Sequence, residues 1–162
     1  MKIGIISDSH DRLPALRDAV TQLLGRRVEA IFHAGDFVAP FAAKCLTPDK
    51  LAGVPLYAIY GNNDGERAGL KKVLPQLVDG PLHVELAGKR FAMHHFLDWF
   101  TPEDLVDADV VISGHDHTLC IEPRDGKLFI NPGECCGWLT GRCTCAVLET
   151  DTMSVEVIDL HA

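Results

Sequence analysis

Short apolar runs rich in β-branched residues recur along the chain, and they predict strands that are buried on both faces. Five of these runs end in side chains with oxygen or nitrogen donors. The ends are Asp8-Ser9-His10, Asp36, Asn62, His94 and His115-Asp116-His117. Because side chains along a strand alternate between its two faces, Asp8 and His10 can point the same way. Ligands of open α/β sheets bind at the carboxyl ends of strands, so we expect these ends to meet.

Helical patterns separate the first strands. Apolar residues at three- and four-residue steps predict an amphipathic helix that starts near Pro14 and includes Leu16, Val20 and Leu23. We predict further helices over residues 40–50 and 66–77, and a short one capped by Thr101. From residue 83 the pattern changes to a hairpin and then mostly to strands. This order predicts one domain over residues 1–162, an α/β (α+β) fold of two packed sheets with outer helices.

The bulk properties limit the possible partners. The chain has 162 residues, of which 47% are apolar, and this suits one globular domain. Its net charge of −8 gives nucleic acid no general electrostatic attraction, so we expect no stable nucleic-acid complex. No apolar run approaches the length of a membrane span, and the first residues lack the pattern of a signal peptide. We therefore expect a cytoplasmic protein without a membrane partner.

Six cysteines raise the question of disulfides or structural zinc. Structural zinc sites usually space their cysteines as pairs with two to four residues between them, roughly Cys-x2–4-Cys, and this chain does not. A cytoplasmic setting also disfavours disulfides, so we expect reduced and partly buried thiols. The cysteines are the isolated Cys45 and Cys120 and the cluster Cys135, Cys136, Cys143 and Cys145.

Residue types alone leave several positions open. Asp8 and Asn62 also suit turns that close a strand without binding a ligand. Arg12 could bind a phosphate, but it also fits a solvated arginine near a helix start. His33 lies inside a strand, which favours a hydrogen-bonded core or supporting histidine over a metal ligand. An aromatic cluster could stack on a substrate ring, form a dimer contact or pack in the core, and it consists of Phe96, Trp99 and Phe100.

Taken together, five motifs resemble those of the calcineurin-like metallophosphoesterase superfamily. The motifs are Asp8-x-His10, Gly35-Asp36, Gly61-Asn62-x-Asp64, the strand-terminal His94 and Gly114-His115-x-His117. The small size, the order of elements and Asn131-Pro132-Gly133 look most like the small single-domain phosphodiesterase branch. The resemblance covers essentially the whole chain. It implies a four-layer α/β/β/α sandwich of two mixed sheets, with two divalent metal ions at the carboxyl ends of the strands.

The resemblance also implies a ligand set and a reaction. One metal ion would take Asp8, His10 and His117, the other would take Asn62, His94 and His115, and Asp36 would bridge them. Family metals are typically manganese, iron, nickel or zinc, and we expect Mn²⁺. Mixed oxygen and imidazole donors suit such ions independently of the resemblance. The implied reaction is hydrolysis of a P–O bond, most often in a phosphodiester, by in-line attack of a metal-bridging hydroxide.

Two positions depart from the family pattern. Many relatives have a histidine where this chain has Asn63, and that histidine contacts the phosphate and assists the leaving group. Many also have His-Gly-His where this chain has His94-His95-Phe96. We choose His94 as the ligand because it comes first after the strand, and His95 could replace the missing histidine. The candidate catalytic residues are Asp36, Asn63, Asp64 and His95, and the candidate substrate contacts are Arg12, Asn63, Phe96 and Trp99.

Two other functions stay open. A retromer subunit with this fold acts as a protein scaffold with an altered metal site, so a non-catalytic or weakly catalytic scaffold is one alternative. A domain with one structural metal ion predicts one equivalent of metal and no turnover. Because all seven ligand positions hold suitable residue types, we favour an enzyme that acts on a small phosphodiester or nucleotide-like substrate. The resemblance also makes a homodimer reasonable.

Overall fold

The computed structural model describes residues 1–161. Over these residues, none of the helices is long and apolar enough to cross a membrane. The helices are α1 (Leu13–Gly25), α2 (Pro40–Ala43), α3 (Arg67–Val73) and α4 (Pro102–Leu105), with 3-10 turns at Lys44–Leu46 and Leu97–Trp99. The strands are β1 (Lys2–Ile6), β2 (Ala30–His33), β3 (Leu56–Ala58), β4 (Leu82–Leu86), β5 (Lys89–Met93), β6 (Val110–Ile112), β7 (Cys120–Arg124), β8 (Lys127–Asn131), β9 (Thr144–Glu149) and β10 (Ser154–Asp159).

The strands form two mixed five-stranded sheets, which confirms the predicted fold class. The first sheet has the order β10-β9-β1-β2-β3, and the second has the order β4-β5-β6-β8-β7. In the first sheet β1, β2 and β3 run parallel, and β9 pairs antiparallel with both β1 and β10. In the second sheet β5, β6 and β8 run parallel between the antiparallel edge strands β4 and β7. The parallel strands of each sheet therefore end at a common edge.

Three apolar clusters separate the layers of the sandwich. The cluster between the sheets contains Ile5 and Phe32 from the first sheet and Phe91 and Ile112 from the second. A larger cluster lies between the first sheet and the helices α1 to α3. A smaller one lies under α4, on the outer side of the second sheet. The order of layers is therefore helices, sheet, sheet and helix.

Strand β5 shows how the pleat sorts side chains between these clusters. Phe91 and Met93 belong to the cluster between the two sheets, whereas Ala92 belongs to the outer cluster. This is the two-residue alternation of an extended strand. It predicts which way the residues just after the strand will point.

Two helices are shorter than the sequence pattern predicts. The helix predicted over residues 40–50 ends at Ala43 and continues only as a 3-10 turn to Leu46. Thr47 is extended, with φ −68° and ψ 155°. The helix predicted over residues 66–77 ends at Val73, and Leu74 has φ −119° and ψ 83°. Thr47 and Leu74 each precede a proline, whose ring disfavours helical geometry in the residue before it.

Candidate metal centre

Loops at the carboxyl ends of the parallel strands bring donor side chains together between the two sheets. Backbone hydrogen bonds join neighbouring loops, since Asp8 N donates to Gly35 O at 3.1 Å and Gly114 N donates to His95 O at 3.1 Å. The first sheet contributes Asp8, His10, Asp36 and Asn62, and the second contributes His95, His115 and His117. Six of the seven predicted donors therefore meet at one edge, and His94 is the exception.

One half of this donor cluster is built around Asp8. His117 Nε2 lies 3.4 Å from Asp8 Oδ1, and His10 Nε2 lies 3.8 Å from the same oxygen. The rings of His10 and His117 are 5.1 Å apart between their centroids. His10 Nε2 also lies 3.4 Å from Asp36 Oδ2, so Asp36 forms the inner side of this half.

The other half is built around Asn62. Asn62 Oδ1 lies 3.0 Å from His95 Nε2 and 3.0 Å from His115 Nδ1. Asp36 Oδ2 lies 3.3 Å from His95 Nε2. One oxygen of Asp36 is therefore within 3.4 Å of an imidazole nitrogen in each half. Asp36 lies between two donor sets.

His94 lies outside the donor cluster, which corrects our choice of the first histidine after the strand. His94 Nδ1 accepts a hydrogen bond from Phe96 N at 3.1 Å, and its ring meets the ring of Trp99 edge-on. The physical reason is the pleat of β5. Met93 faces the space between the sheets, so residue 95 shares its side and residue 94 points to the other. The ring at the expected position is that of His95, which is fully buried.

Two buried polar atoms at the centre make no hydrogen bond to any described residue. They are Asp8 Oδ1 and His10 Nε2. An unsatisfied buried polar group costs about 1–3 kcal/mol, so this adjacent oxygen and nitrogen fit a shared cation. Donors bound to one ion at about 2.0–2.2 Å lie roughly 3–3.6 Å apart. Most donor separations in the two halves, from 3.0 to 3.4 Å, have this spacing. The residues present therefore fit a pair of divalent metal ions.

Hydrogen bonds outside the cluster determine which ring nitrogen faces inward. His117 Nδ1 donates to Glu134 Oε2 at 2.7 Å, and His95 Nδ1 donates to Ala34 O at 2.7 Å. A carbonyl oxygen and an ionised carboxylate only accept, so Nδ1 carries the proton in both rings. The lone pair of Nε2 then points into the cluster, as a metal-binding histidine requires.

Glu134 is the functional residue that our sequence analysis missed. It is fully buried, and Thr140 Oγ1 and Cys136 Sγ donate to it at 2.7 and 3.1 Å. Burial raises the pKa of Glu134, but hydrogen bonds from Thr140, Cys136 and His117 outweigh burial and lower the pKa to about 2. The sequence signal was present, because Glu134 directly follows a strand and its turn, as the predicted ligands do.

Asn63 orients the central carboxylate. Asn63 N donates to Asp36 Oδ1 at 2.8 Å, and Asn63 Nδ2 donates to Asp36 Oδ2 at 2.7 Å. Burial raises the pKa of Asp36, but His95 and Asn63 stabilise the carboxylate more strongly and the pKa falls below its usual range. Asn63, which we named as a catalytic and substrate-contact candidate, is directed at Asp36.

Asp64 and His33 support the loops from beneath. Asp64 accepts hydrogen bonds from the backbone N–H groups of Asp36, Val38 and Gly61 at 3.1, 2.7 and 2.7 Å. It therefore joins the loop after β2 to the loop after β3. His33 is fully buried, and burial lowers its pKa to about 3. His33 Nδ1 accepts from Gly35 N at 3.2 Å, a supporting role that its place within a strand predicts.

The backbone of the donor loops is strained. Positive φ values from 38° to 71° occur at Asp8, His10, Asp36, His115 and His117. Such conformations cost residues other than glycine about 1–3 kcal/mol each, and they concentrate at functional sites. The loops also pass very close to one another, since a Cβ added at Gly61 would overlap Asp36 Oδ1.

An arginine and a tryptophan flank the Asp8 half of the cluster. Arg12 Nη1 donates to Cys136 O at 2.5 Å, and its guanidinium lies 4.7 Å from the centroid of the Trp138 ring. Trp138 is 60% exposed, and its Nε1 donates to His10 O at 3.4 Å. Arg12 was a predicted substrate contact, and Trp138 is a neighbour that the sequence analysis missed.

The predicted aromatic contacts flank the Asn62 half. Phe96 lies 4.0 Å from the ring centroid of His115, and it stacks on Trp99 at 4.1 Å. Trp99 is 63% exposed, so it is not an ordinary core residue.

The cysteines take no part in disulfides. Cys120 is exposed, and the other five thiols are buried. Cys136 lies beside the cluster, with its sulfur within 4.8 Å of ligand atoms of His10 and His117. Five buried thiols agree with the expectation that the cysteines are partly buried.

The fold and the donor set define a class of protein. The sequence profile of the calcineurin-like phosphoesterase superfamily domain matches residues 1–153. The chain therefore belongs to the calcineurin-like phosphoesterase superfamily, whose metallophosphoesterases use divalent metal ions. The resemblance drawn from five short motifs is confirmed, and so is the class of enzyme.

Particular relatives agree with this assignment. The chain is 40% identical to phosphodiesterase MJ0936 of Methanocaldococcus jannaschii, over 99% of this chain and 100% of the relative. A solved structure of an archaeal phosphodiesterase is 38% identical, with a TM-score of 0.84 and coverage of 99% of this chain and 100% of that chain. Vps29 of Chaetomium thermophilum has a TM-score of 0.67 at 16% identity, covering 98% of this chain and 94% of its own. The likeness to Vps29 shows the fold alone.

Proposed function

We propose that this protein hydrolyses a small phosphodiester at a pair of divalent metal ions, with Mn²⁺ as the preferred ion. The position of Asp36 carries the proposal, because one of its oxygens lies within 3.4 Å of His10 Nε2 and of His95 Nε2. A bridging carboxylate would need this position. Asp8, His10 and His117 would hold one ion, and Asn62, His95 and His115 would hold the other. The full-length similarity to a phosphodiesterase supports the substrate class.

The chain's own residues orient and hold the donors. Two ions bound there would supply a nucleophile from water at neutral pH and would neutralise the phosphoryl oxygens. Glu134 and the carbonyl of Ala34 keep the Nε2 atoms of His117 and His95 free of protons. Asn63 prevents Asp36 from rotating away from either donor set. Mixed oxygen and imidazole donors favour manganese, iron, nickel or zinc over calcium.

Protonation of the leaving group is the weakest step of this mechanism. Asn63 stands where many relatives have a histidine, and its amide is not an acid; His95, the residue that we considered as a substitute, already donates from Nδ1 to Ala34 O. A general acid typically contributes about 10²–10⁴-fold to the rate. We therefore expect diesters with activated aryl leaving groups to be cleaved much faster than dialkyl diesters. Equal rates on both kinds of substrate would contradict this expectation.

Metal analysis combined with a hydrolysis assay tests the proposal. Protein freed of metal by a chelator and reloaded with Mn²⁺ should bind two equivalents and hydrolyse bis(4-nitrophenyl) phosphate. Asp36→Asn should lower kcat by at least about 10²-fold, because it removes the shared carboxylate charge. Asp98→Asn changes an exposed carboxylate in the same way and should leave kcat unchanged. Hydrolysis that persists after chelation would contradict the proposal.

The same assay separates the alternative functions. A scaffold of the Vps29 type predicts no metal-dependent hydrolysis of a generic phosphodiester. A single structural ion predicts one equivalent of metal and no turnover. A cytoplasmic location and a homodimer stay predictions from the sequence.

A further inference from the structure

A small pocket opens directly beside the Asn62 half of the donor cluster. Its volume is about 180 Å³. Pockets for drug-sized ligands measure about 300–1,000 Å³, so this one has room for a single small ring system. Besides Asn62 and His95, its lining includes Tyr60, Arg67, Asp79, His94, Phe96 and Trp99.

The walls of this ring pocket are themselves aromatic. Trp99 and Phe96 stack with 4.1 Å between centroids and 15° between their planes, and His94 meets Trp99 at 62°. Trp99 nonetheless stays 63% exposed. An exposed indole at the end of a stack can pair with a further planar ring, because aromatic rings attract each other beyond the effect of the area they bury.

A charged pair provides a polar edge to the same pocket. Arg67 Nη1 lies 2.6 Å from Asp79 Oδ1, and its guanidinium lies 4.4 Å from the centroid of the Tyr60 ring. Arg67 supplies hydrogen-bond donors, and Asp79 supplies acceptors. A nucleobase has a planar face and an edge that carries both kinds of group, whereas a plain alkyl chain has neither.

The pocket and the donor cluster share two residues. Asn62 and His95 line the pocket and belong to the cluster, and Phe96 contacts both Trp99 and the His115 ring. A phosphate held at the cluster would therefore lie next to a ring held at Trp99. In a nucleotide, the sugar joins a phosphate to a planar base in this way.

From this arrangement we infer that the ring pocket binds the base of a nucleotidyl phosphodiester and so determines the substrate class. The inference rests on the proposed phosphodiesterase function, because the phosphate of the same molecule would lie at the donor cluster. Trp99 and Phe96 provide the stacking surface, and the Arg67–Asp79 pair provides hydrogen-bond partners for the edge of the base.

Competitive inhibition tests the contribution of the base. Adenosine 5′-monophosphate and ribose 5-phosphate share a sugar phosphate and differ in the base, so the ratio of their inhibition constants isolates the ring. Trp99→Ala should raise the inhibition constant of adenosine 5′-monophosphate by about 5- to 150-fold, the range for loss of one base stack, and should leave that of ribose 5-phosphate unchanged. Leu97→Ala is the matched control, because Leu97 is 40% exposed on the same 3-10 turn outside the pocket. Equal effects on both inhibitors would overturn the inference.

Fluorescence tests binding without turnover. The chain has two tryptophans, so Trp138→Phe leaves Trp99 as the only reporter. Adenosine 5′-monophosphate should quench its emission at concentrations where ribose 5-phosphate does not. Absence of quenching in a protein that hydrolyses bis(4-nitrophenyl) phosphate would overturn the inference and leave the proposed function standing. Quenching without any metal-dependent hydrolysis would support base binding and would contradict only the proposed catalytic function. A fall in mass in solution for Trp99→Ala would assign the exposed ring to a subunit contact and overturn the inference.

Discussion

Replacing Glu134 with glutamine should weaken the metal centre from outside its ligand set. Glu134 Oε2 accepts from His117 Nδ1 at 2.7 Å and from Cys136 Sγ at 3.1 Å. Glu134 Oε1 accepts from Thr140 Oγ1 at 2.7 Å and from Leu139 N at 3.0 Å. Glutamine can place its carbonyl oxygen at only one of these two positions. In either orientation its amide N–H₂ faces at least two groups that also donate.

The magnitude follows from this count. Hydrogen bonds to a charged group contribute about 1.5–3 kcal/mol each, so the loss of two predicts a fall in unfolding free energy of about 3–6 kcal/mol. If the amide faces His117, the ring must move its proton to Nε2 to remain hydrogen-bonded, and it then cannot bind metal. Loss of such a supporting carboxylate typically lowers metal affinity about 10–100-fold.

Chelator competition and urea unfolding of Glu134→Gln measure the two effects separately. Glu122→Gln is the matched control, because Glu122 is exposed on β7. Native metal affinity together with native stability in Glu134→Gln would refute the reasoning. Reduced stability with unchanged affinity would show that Glu134 supports only the loop that contains Thr140.

Three further predictions concern single residues. In metal analysis, His95→Ala should lose one equivalent of metal, whereas His94→Ala should keep both. The reverse result would show that the first histidine after the strand is the metal ligand. Asp64→Asn should lower the unfolding free energy by about 1.5–3 kcal/mol in urea melts, because asparagine keeps only one of the two side-chain oxygens and at least one of the three backbone N–H groups loses its acceptor. A thiol reagent at pH 8 should label Cys120 first and spare Cys145, because Cys145 is buried and burial raises the pKa of its thiol to about 12. Fast labelling that persists in Cys120→Ser would contradict the structure.

The sequence predicted the meeting of the donors because the relevant rule is topological. Asp8, Asp36 and Asn62 follow parallel strands that are neighbours in one sheet, and such strand ends must share an edge. His115 and His117 follow a strand of the second sheet, whose packing against the first was read from the order of elements. None of these steps needed a side-chain conformation.

The errors arose where a single residue's direction or environment decided the outcome. Choosing His94 relied on its place in the chain, and because Phe91, Ala92 and Met93 are all apolar, the sequence did not show which face of β5 turns towards the other sheet. Glu134 went unnoticed because its role depends on partners from distant loops. The pattern over residues 40–50 predicts a helix that continues past Thr47, but the proline that follows disfavours helical geometry at Thr47.

The strained backbone of the donor loops also affects how this enzyme can be improved. Most of the strained residues carry donor side chains, so replacing them with glycine would relieve the backbone strain but would also remove the donor side chains. Val38 is different, since it has φ 80° and a β-branched side chain that binds nothing in the donor cluster. Val38→Gly keeps the N–H that Asp64 holds at 2.7 Å, so it offers a route to a more heat-resistant catalyst with an intact centre.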